Sequence, residues 1–336
     1  MKTLRVAVIG CGLIGAKRAR AVLRDPRSRL VRVADSDPGR AETLARECRT
    51  DWVRDWRKAA GGDVDAAVVS VPTHLLGEVA RGALAAGKHV LCEKPMGRDH
   101  AEALEMLRAA GKAGRRLKIG FNHRYHPALM EMRRVLRRGG LGRVLNARAV
   151  YGHGGRKGYE SEWRTDPRKV GGGELTDQGV HVIDLLQWFF GPAEKAFAGL
   201  QTAFWDIRPL EDNGFAFLEF PGGIAAAFHT SWTQWKNAFS LEVFGSRGFA
   251  AARGLGGSYG PETLVLGRRT RPGAPPRVTE KRFMGEDRSW DLEWRDFSKA
   301  VRTGGKMLGE AGEGVEVMRT LAALYRSHRM GKLVLV

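Results

Sequence analysis

A short apolar run, His89-Val90-Leu91-Cys92-Glu93-Lys94-Pro95-Met96, ends in a charged pair and a proline. An ammonium at the carboxyl end of a buried strand stands where open α/β sheets bind their ligands, which makes Lys94 a candidate for chemistry. Pro95 fixes its own φ and restricts the residue before it, so Lys94 projects from a stiffened turn that admits a cis bond. A surface turn with an ion pair is the structural alternative for the same residues. A second stretch, Gly171-Gly172-Gly173-Glu174-Leu175-Thr176-Asp177-Gln178-Gly179-Val180-His181-Val182-Ile183-Asp184, joins a glycine turn to a helix. Asp177 and His181 are four apart and Asp184 three further on, so all three share a helix face. A carboxylate beside an imidazole suffices for a general base near neutral pH. The same pattern also describes a helix with an acid favouring its dipole and a histidine in its core.

The elements that position these residues begin at the amino terminus. Leu4-Arg5-Val6-Ala7-Val8-Ile9 reads as a buried strand, followed at once by Gly10-Cys11-Gly12-Leu13-Ile14-Gly15 and a helical stretch to about Arg24. In a strand, glycine loop and helix of this kind, the first glycine permits the tight turn, the second lets backbone approach a pyrophosphate, and the third lets helix and strand pack closely. Gly10, Gly12 and Gly15, with Leu13 and Ile14 between them, are therefore expected at a dinucleotide. A second strand ends at Asp35, twenty residues beyond Gly15, where an acid bonds the adenosine ribose. That favours NAD; Ser36 and Arg40 leave room for NADP. A plain turn residue in Asp35-Ser36-Asp37-Pro38-Gly39 is the alternative for Asp35.

Strands and helices then alternate: a strand over 66–72 ending at Pro72, a helix over 75–86, the strand that ends at Lys94, a helix over 101–113 and a strand over 118–121. This alternation predicts a parallel, doubly wound sheet that closes near Asn122. Beyond it, Val144–Tyr151 reads as a strand, and from Ala193 extended segments such as Phe215–Phe220 and Phe239–Phe244 follow one another without helices. The expectation is a 1–122 dinucleotide domain and a 123–336 α+β domain with a large, mostly antiparallel sheet, with packing of the final helix and strand back on the first domain as the alternative. Trp232 and Trp235 are assigned to packing in that sheet, with a subunit contact as the alternative. Helices near 290–301 and 310–328 and a strand at 333–335 finish the chain.

Composition narrows the classes. The 336 residues suit two cores. The net charge of +19 comes from 56 Lys+Arg against 37 Asp+Glu. The basic residues are scattered, no nucleic-acid motif accompanies them, and the cluster at 129–138 reads as the solvated face of a helix, so no nucleic-acid partner is expected. No apolar run is long enough for a bilayer, and Met1-Lys2-Thr3 leads directly into a strand, so a soluble cytoplasmic protein is expected. Cys11, Cys48 and Cys92 show neither disulfide nor zinc spacing, and no metal is expected; a site on His123, His126 and His181 lacks an acid or thiolate at ligand spacing.

The three motifs, in this order, resemble those of the Gfo/Idh/MocA family of NAD(P)-dependent oxidoreductases. Gly10–Gly15 looks like its dinucleotide loop, Gly87–Pro95 like its Glu-Lys-Pro signature, Gly171–Asp184 like its catalytic helix, and Gly120-Phe121-Asn122-His123-Arg124-Tyr125 like the segment entering its substrate domain. The resemblance implies Lys94, Asp177 and His181 as the catalytic group, with Pro72, Glu93 and Lys94 joining the glycine loop, Asp35 and Arg40 at the cofactor. It implies a substrate contact from Asn122 and Arg124, and hydride transfer between a sugar or cyclitol carbinol and nicotinamide. Transient oxidation in an NAD-dependent glycosidase and a dinucleotide-bound regulator are its rivals. A homodimer or homotetramer would form through the second domain's sheet. The loop over 152–169 carries Arg156, Lys157, Arg164, Arg168 and Lys169. Guanidinium forks suit carboxylates and phosphates, so Arg164, beside Trp163, is a candidate contact to an anionic substrate, against the alternative of a solvated loop in a chain that is basic throughout.

Overall fold

The structure, a computed structural model, describes residues 3–271 and 273–336. Met1 and Lys2, read above as leading into the first strand, lie outside them. The described chain divides into two compact units.

The first unit comprises residues up to Asn122 together with Arg168–Gly171 and Arg288–Met318. Its elements begin with β1 (Leu4–Ile9), α1 (Leu13–Leu23), β2 (Ser28–Ala34), α2 (Pro38–Cys48), β3 (Asp51–Val53) and α3 (Trp56–Ala59). They continue with β4 (Ala66–Val69), α4 (Thr73–Ala85), β5 (His89–Cys92), α5 (His100–Ala113) and β6 (Leu117–Ile119). Strands β1, β4 and β5 are almost wholly buried, as their near-continuous apolar sequences, interrupted only by Arg5 and His89, require of a sheet covered on both faces. Helix starts follow the local chemistry: the Asp37 side chain accepts from the amides of Gly39 and Arg40 with Pro38 opening α2, and Asp99 accepts from Glu102 at the start of α5.

All six strands are parallel in the order β3-β2-β1-β4-β5-β6. The order reverses between β1 and β4, so a crevice opens at the carboxyl ends of those two strands. The glycine loop follows β1, Asp35 follows β2, Pro72 follows β4 and Lys94 follows β5. The whole first half of the predicted site therefore shares one sheet edge.

The second unit contains α6 (Pro127–Arg137), β7 (Val144–Gly152), α7 (Val180–Phe190), β8 (Lys195–Gln201), β9 (Asn213–Phe220), β10 (Ile224–Ser231), β11 (Ala238–Gly245), β12 (Gly248–Arg253), β13 (Glu262–Arg268) and β14 (Arg277–Phe283). Nine strands form its sheet in the order β14-β13-β12-β11-β7-β10-β9-β8-β15. Only β7 and β10 run parallel. The chain returns to the first unit for α8 (Ser289–Thr303), passes through α9 (Ala311–Met330), and ends at β15 (Val334–Leu335) beside β8.

The division into 1–122 and 123–336 is thus corrected by α8. Its Trp294 and Phe297 are buried with Val6, Val8, Val22 and Leu91, because the apolar stripe of α8 completes the core over α1 and the parallel sheet. Trp232 is fully buried as assigned, whereas Trp235 is 63% exposed.

Candidate active site

In the first unit the glycine loop is built for close approach. Gly10 takes φ 95°, and a side chain there would run into the Ser70 carbonyl at the end of β4. A Cβ on Gly12 meets nothing within 4 Å. Gly12 caps α1 without a side-chain bond, and no acid occupies the first turn, so the helix presents amides that suit an anion. Asp35 braces the loop: its Oδ2 accepts the Cys11 amide at 2.7 Å and its Oδ1 the Asp37 amide at 2.9 Å. A carboxylate has about four acceptor sites, so capacity remains for two ribose hydroxyls. Burial, then the Asp35 charge, pushes the Cys11 thiol up to about 12, so it stays protonated. These residues fit a pyrophosphate and an adenosine ribose.

Lys94 is half-buried at the end of β5, and the Lys94–Pro95 bond is cis. Arg18 of α1, itself 1% exposed, donates from Nε to Glu93 Oε1 at 2.6 Å and from Nη1 to Glu293 Oε2 at 2.6 Å, with the ammonium of Lys118 3.7 Å from Glu293. Two cations and two carboxylates thus neutralise one another inside the unit. Burial raises the Glu93 pKa, and Arg18 opposes it.

In the second unit the helix that carries Asp177 and His181 opens with a π-helical turn, Leu175–Gly179, that runs into α7. Such turns carry an extra residue, which changes the α-helical phase assumed for Asp177 and His181. Between Gly172 and Val180, Asp177 alone is not buried. Its Oδ2 accepts from Arg164 Nη1 at 3.2 Å, and Arg164 Nε donates to Glu162 at 2.9 Å. Burial works against the Arg164 charge, but Asp177 leads the groups that outweigh it and raise its pKa.

The His181 ring, 5% exposed, stacks on His123 with centroids 3.9 Å apart and planes at 22°. Tyr151 meets both rings edge-on, at 5.2 Å from His123 and 6.1 Å from His181. Burial raises the Tyr151 pKa, with Tyr259 adding to it, so this wall is a neutral phenol. The helix start is tied down from far along the chain. Glu211 Oε1 accepts the Leu175 amide at 3.1 Å and the Tyr325 hydroxyl at 2.6 Å, and Tyr325 Oη lies 2.8 Å from Thr176 Oγ1. A side chain on Gly172 would occupy the place of the Tyr325 hydroxyl.

Residues 4–121 match the oxidoreductase family with an NAD-binding Rossmann fold, and residues 129–251 match the Gfo/Idh/MocA C-terminal domain. The chain is 30% identical to inositol 2-dehydrogenase of Rhizobium meliloti, with 97% of each chain aligned. The chain belongs to the Gfo/Idh/MocA family. A further relative, inositol 2-dehydrogenase 2 of Saccharopolyspora erythraea, is 34% identical over a region that spans 66% of this chain and 65% of that enzyme's length. Among solved structures, GenD2 from gentamicin A biosynthesis in complex with NAD superposes with a TM-score of 0.87 at 27% identity, covering 100% of this chain and 97% of that one. The protein is accordingly a Gfo/Idh/MocA oxidoreductase whose first unit is an NAD-binding Rossmann domain.

The structure gives several of the residues expected at ligands partners within this Gfo/Idh/MocA chain. Glu93 Oε1 is bonded to Arg18 inside the first unit. Asn122 is 5% exposed and donates to Ser289 Oγ at 2.9 Å, which makes it a packing residue. Arg124 is 1% exposed and holds Asp184 through Nε and Nη2 at 2.6–3.1 Å, an ion pair that joins the 123–125 turn to α7. Arg164 does lie over Trp163, 5.2 Å from its ring, but its fork is committed to Glu162 and Asp177. Arg40 pairs with Asp37 on the surface. The sequence reading missed His123 as a ring partner of His181, as well as Tyr151, Glu211 and Tyr325. The Glu211–Tyr325 contact spans 114 residues of chain, so no local pattern could announce it.

Proposed function

We propose that the protein oxidises a carbinol of a sugar, sugar derivative or cyclitol with NAD, by general-base removal of the hydroxyl proton. The observation that carries this reading is the catalytic helix: a carboxylate that keeps 21% of its surface exposed, Asp177, and a stacked imidazole, His181, follow one another in a family of nicotinamide enzymes. When bound, nicotinamide takes up or returns the carbinol hydride. Gly10, Gly12, Leu13, Ile14 and Gly15 would hold the pyrophosphate, Asp35 the ribose and Pro72 the wall of the crevice.

His181 accepts the hydroxyl proton. His123, stacked flat against it, and Tyr151, at its edge, fix the ring plane without adding negative charge that would trap the proton. Lys94 supplies positive charge to the oxygen as it loses that proton, an effect worth about 10²–10³ in rate for one such donor. Asp177 orients substrate hydroxyls, with Arg164 holding its carboxylate. Two relatives named as inositol 2-dehydrogenases support a polyol-like substrate.

Asp35 favours NAD over NADP, because a 2′-phosphate would meet its carboxylate. Phe197 and Phe215, 41% and 52% exposed on the open face of the second sheet, support assembly of a homodimer or homotetramer there. The free, buried thiols of Cys11, Cys48 and Cys92 support a cytoplasmic location. No helix among the described residues is long and apolar enough to cross a membrane.

The test is a screen of polyols, cyclitols and sugars for NADH formation with sugar release measured in parallel. Net NADH supports a dehydrogenase. Sugar release without net NADH supports the glycosidase alternative, and neither supports the regulator.

A further inference from the structure

We propose that Tyr325 and Glu211 are positioning residues for the reaction: from distant segments they hold the first turn of the helix that carries Asp177 and His181 in π form, and so fix the direction in which Asp177 points. The inference rests on the dehydrogenase reading above and adds to it the residues that set the phase between carboxylate and imidazole.

The turn Leu175–Gly179 is π-helical, and α7 follows at Val180. A π turn accommodates one residue more than an α turn. Each residue of an α-helix turns the chain by about 100° and advances it about 1.5 Å. Relaxation of this turn to α geometry therefore rotates Asp177 by about that angle relative to His181. Asp177 keeps part of its surface exposed while Leu175, Thr176, Gln178 and Gly179 are buried. Turned by one residue, the carboxylate enters the packed side of the helix, and its 3.2 Å contact with Arg164 is lost.

The groups that hold the turn lie outside the helix. Glu211 Oε1 accepts the Leu175 amide at 3.1 Å and the Tyr325 hydroxyl at 2.6 Å. The Tyr325 proton is thereby used, so in its 2.8 Å contact with Thr176 the threonine hydroxyl donates. A helical threonine commonly gives this bond to a carbonyl of the preceding turn; here it goes to another segment. The Glu211 carbonyl accepts the Glu174 amide at 2.9 Å. Glu174, Leu175 and Thr176 are thus held in succession by one glutamate and one phenol. The approach is close: a Cβ on Gly172 would strike the Tyr325 hydroxyl and Thr176 Oγ1, and one on Gly173 the Glu211 backbone. Two of the glycines that lead into the helix make room for the brace.

Both partners are themselves fixed. Two residues beyond Tyr325 in α9, Ser327 Oγ accepts the Ala198 amide of β8 at 3.2 Å and donates to the Lys332 carbonyl at 2.6 Å. Thr320, also in α9, accepts from Gln187 of α7 at 3.0 Å, so α9 holds the helix at a second place. Glu211 is 6% exposed, and its neighbour Asp212 accepts the amides of Ala203, Phe204 and Trp205 at 2.8 Å each. The turn conforms to these anchored groups.

The test uses the full-length protein and the substrate found in the screen above. Tyr325→Phe removes the hydroxyl and keeps the ring. Its kcat should fall about 10- to 100-fold, since misplacing a group by about 1 Å costs about 10²-fold, while NAD affinity measured by calorimetry holds. Glu211→Ala should match that loss. Glu211→Gln should recover most of it, because both bonds end on Oε1 and an amide oxygen can replace that acceptor. In an Asp177→Ala background Tyr325→Phe should cost nothing further, since residues that act through one another are not additive. A crystal structure of Tyr325→Phe should show Leu175–Gly179 wound as α-helix and Asp177 turned away from Arg164. Wild-type kcat in Tyr325→Phe, a full further loss in the Asp177→Ala background, or a loss matched by weaker NAD binding overturns the positioning role. So does a variant structure that keeps the π turn with Asp177 in place, or a Glu211→Gln variant as impaired as Glu211→Ala. If no compound in the screen reduces NAD, the dehydrogenase reading fails, and the variant structure alone decides whether the brace sets the direction of Asp177.

Discussion

Replacing Arg164 by Gln removes the positive charge that lies 3.2 Å from Asp177 while keeping a polar side chain of similar reach. At that distance and an effective dielectric near 20 the bare attraction is about 5 kcal/mol. Arg164 is 26% exposed on its side chain and divides its fork between Asp177 and Glu162, so the net value falls toward the ~1.5–3 kcal/mol of a hydrogen bond to a charged group. If Asp177 orients the substrate in the transition state, that range corresponds to a drop in kcat of roughly 10- to 150-fold. A neutral polyol should suffer as much as an anionic sugar. Arg164→Lys should recover part of the loss, since lysine keeps the charge but not the fork. The assay is steady-state NADH formation on both substrate types. A tenfold rise in KM confined to anionic substrates, with kcat intact, would refute this reasoning and make Arg164 a direct substrate contact.

Lys94→Ala and His181→Ala should each lower kcat by at least about 10²-fold while NAD affinity, measured by calorimetry, changes far less; comparable loss of NAD binding in both would overturn their catalytic roles. Asp35→Ser should weaken NAD and narrow its advantage over NADP, and an unchanged NAD/NADP ratio of kcat/KM would leave Asp35 a turn residue that only braces Cys11. Burial raises the Glu211 pKa, with the Tyr325 hydroxyl opposing it. A raised acid binds its proton more readily folded than unfolded, so its contribution to stability declines as pH rises from the ordinary glutamate range through the raised folded value. Chemical denaturation of Glu211→Gln across that window should show a flatter pH slope than wild type, and an identical slope would contradict the buried assignment.

The first unit was legible because its signals are local. An apolar strand, a glycine loop and an acid twenty residues on fix β1, α1 and β2 within one stretch of chain, and β5 stops at Cys92, just before Glu93-Lys94-Pro95. The helix over 289–303 was found as an element but not placed: only the space left over α1 decides that Trp294 and Phe297 complete the first core. In the helix that carries Asp177 and His181 the element was expected and its phase was not, since nothing in Leu175–Gly179 announces a π turn; Glu211 and Tyr325 hold it there from distant segments. The partners of the charges were least legible: Glu93, Arg124 and Arg164 meet Arg18, Asp184 and Asp177, which lie 75, 60 and 13 residues away. Trp235 was misassigned to the core because exposure at a strand end follows from backbone conformation, which composition does not encode.

The central claim is that a substrate carbinol gives its hydrogen to the cofactor and keeps it there. The most direct test uses the best substrate from the screen, deuterated at the carbinol carbon, with NAD and the wild-type protein, and follows the label by mass spectrometry. The account predicts one deuterium in NADH for each ketone formed, and no transfer with His181→Ala above about a hundredth of the wild-type rate. Deuterium retained in a hydrolysed sugar, with no labelled NADH accumulating, would contradict it.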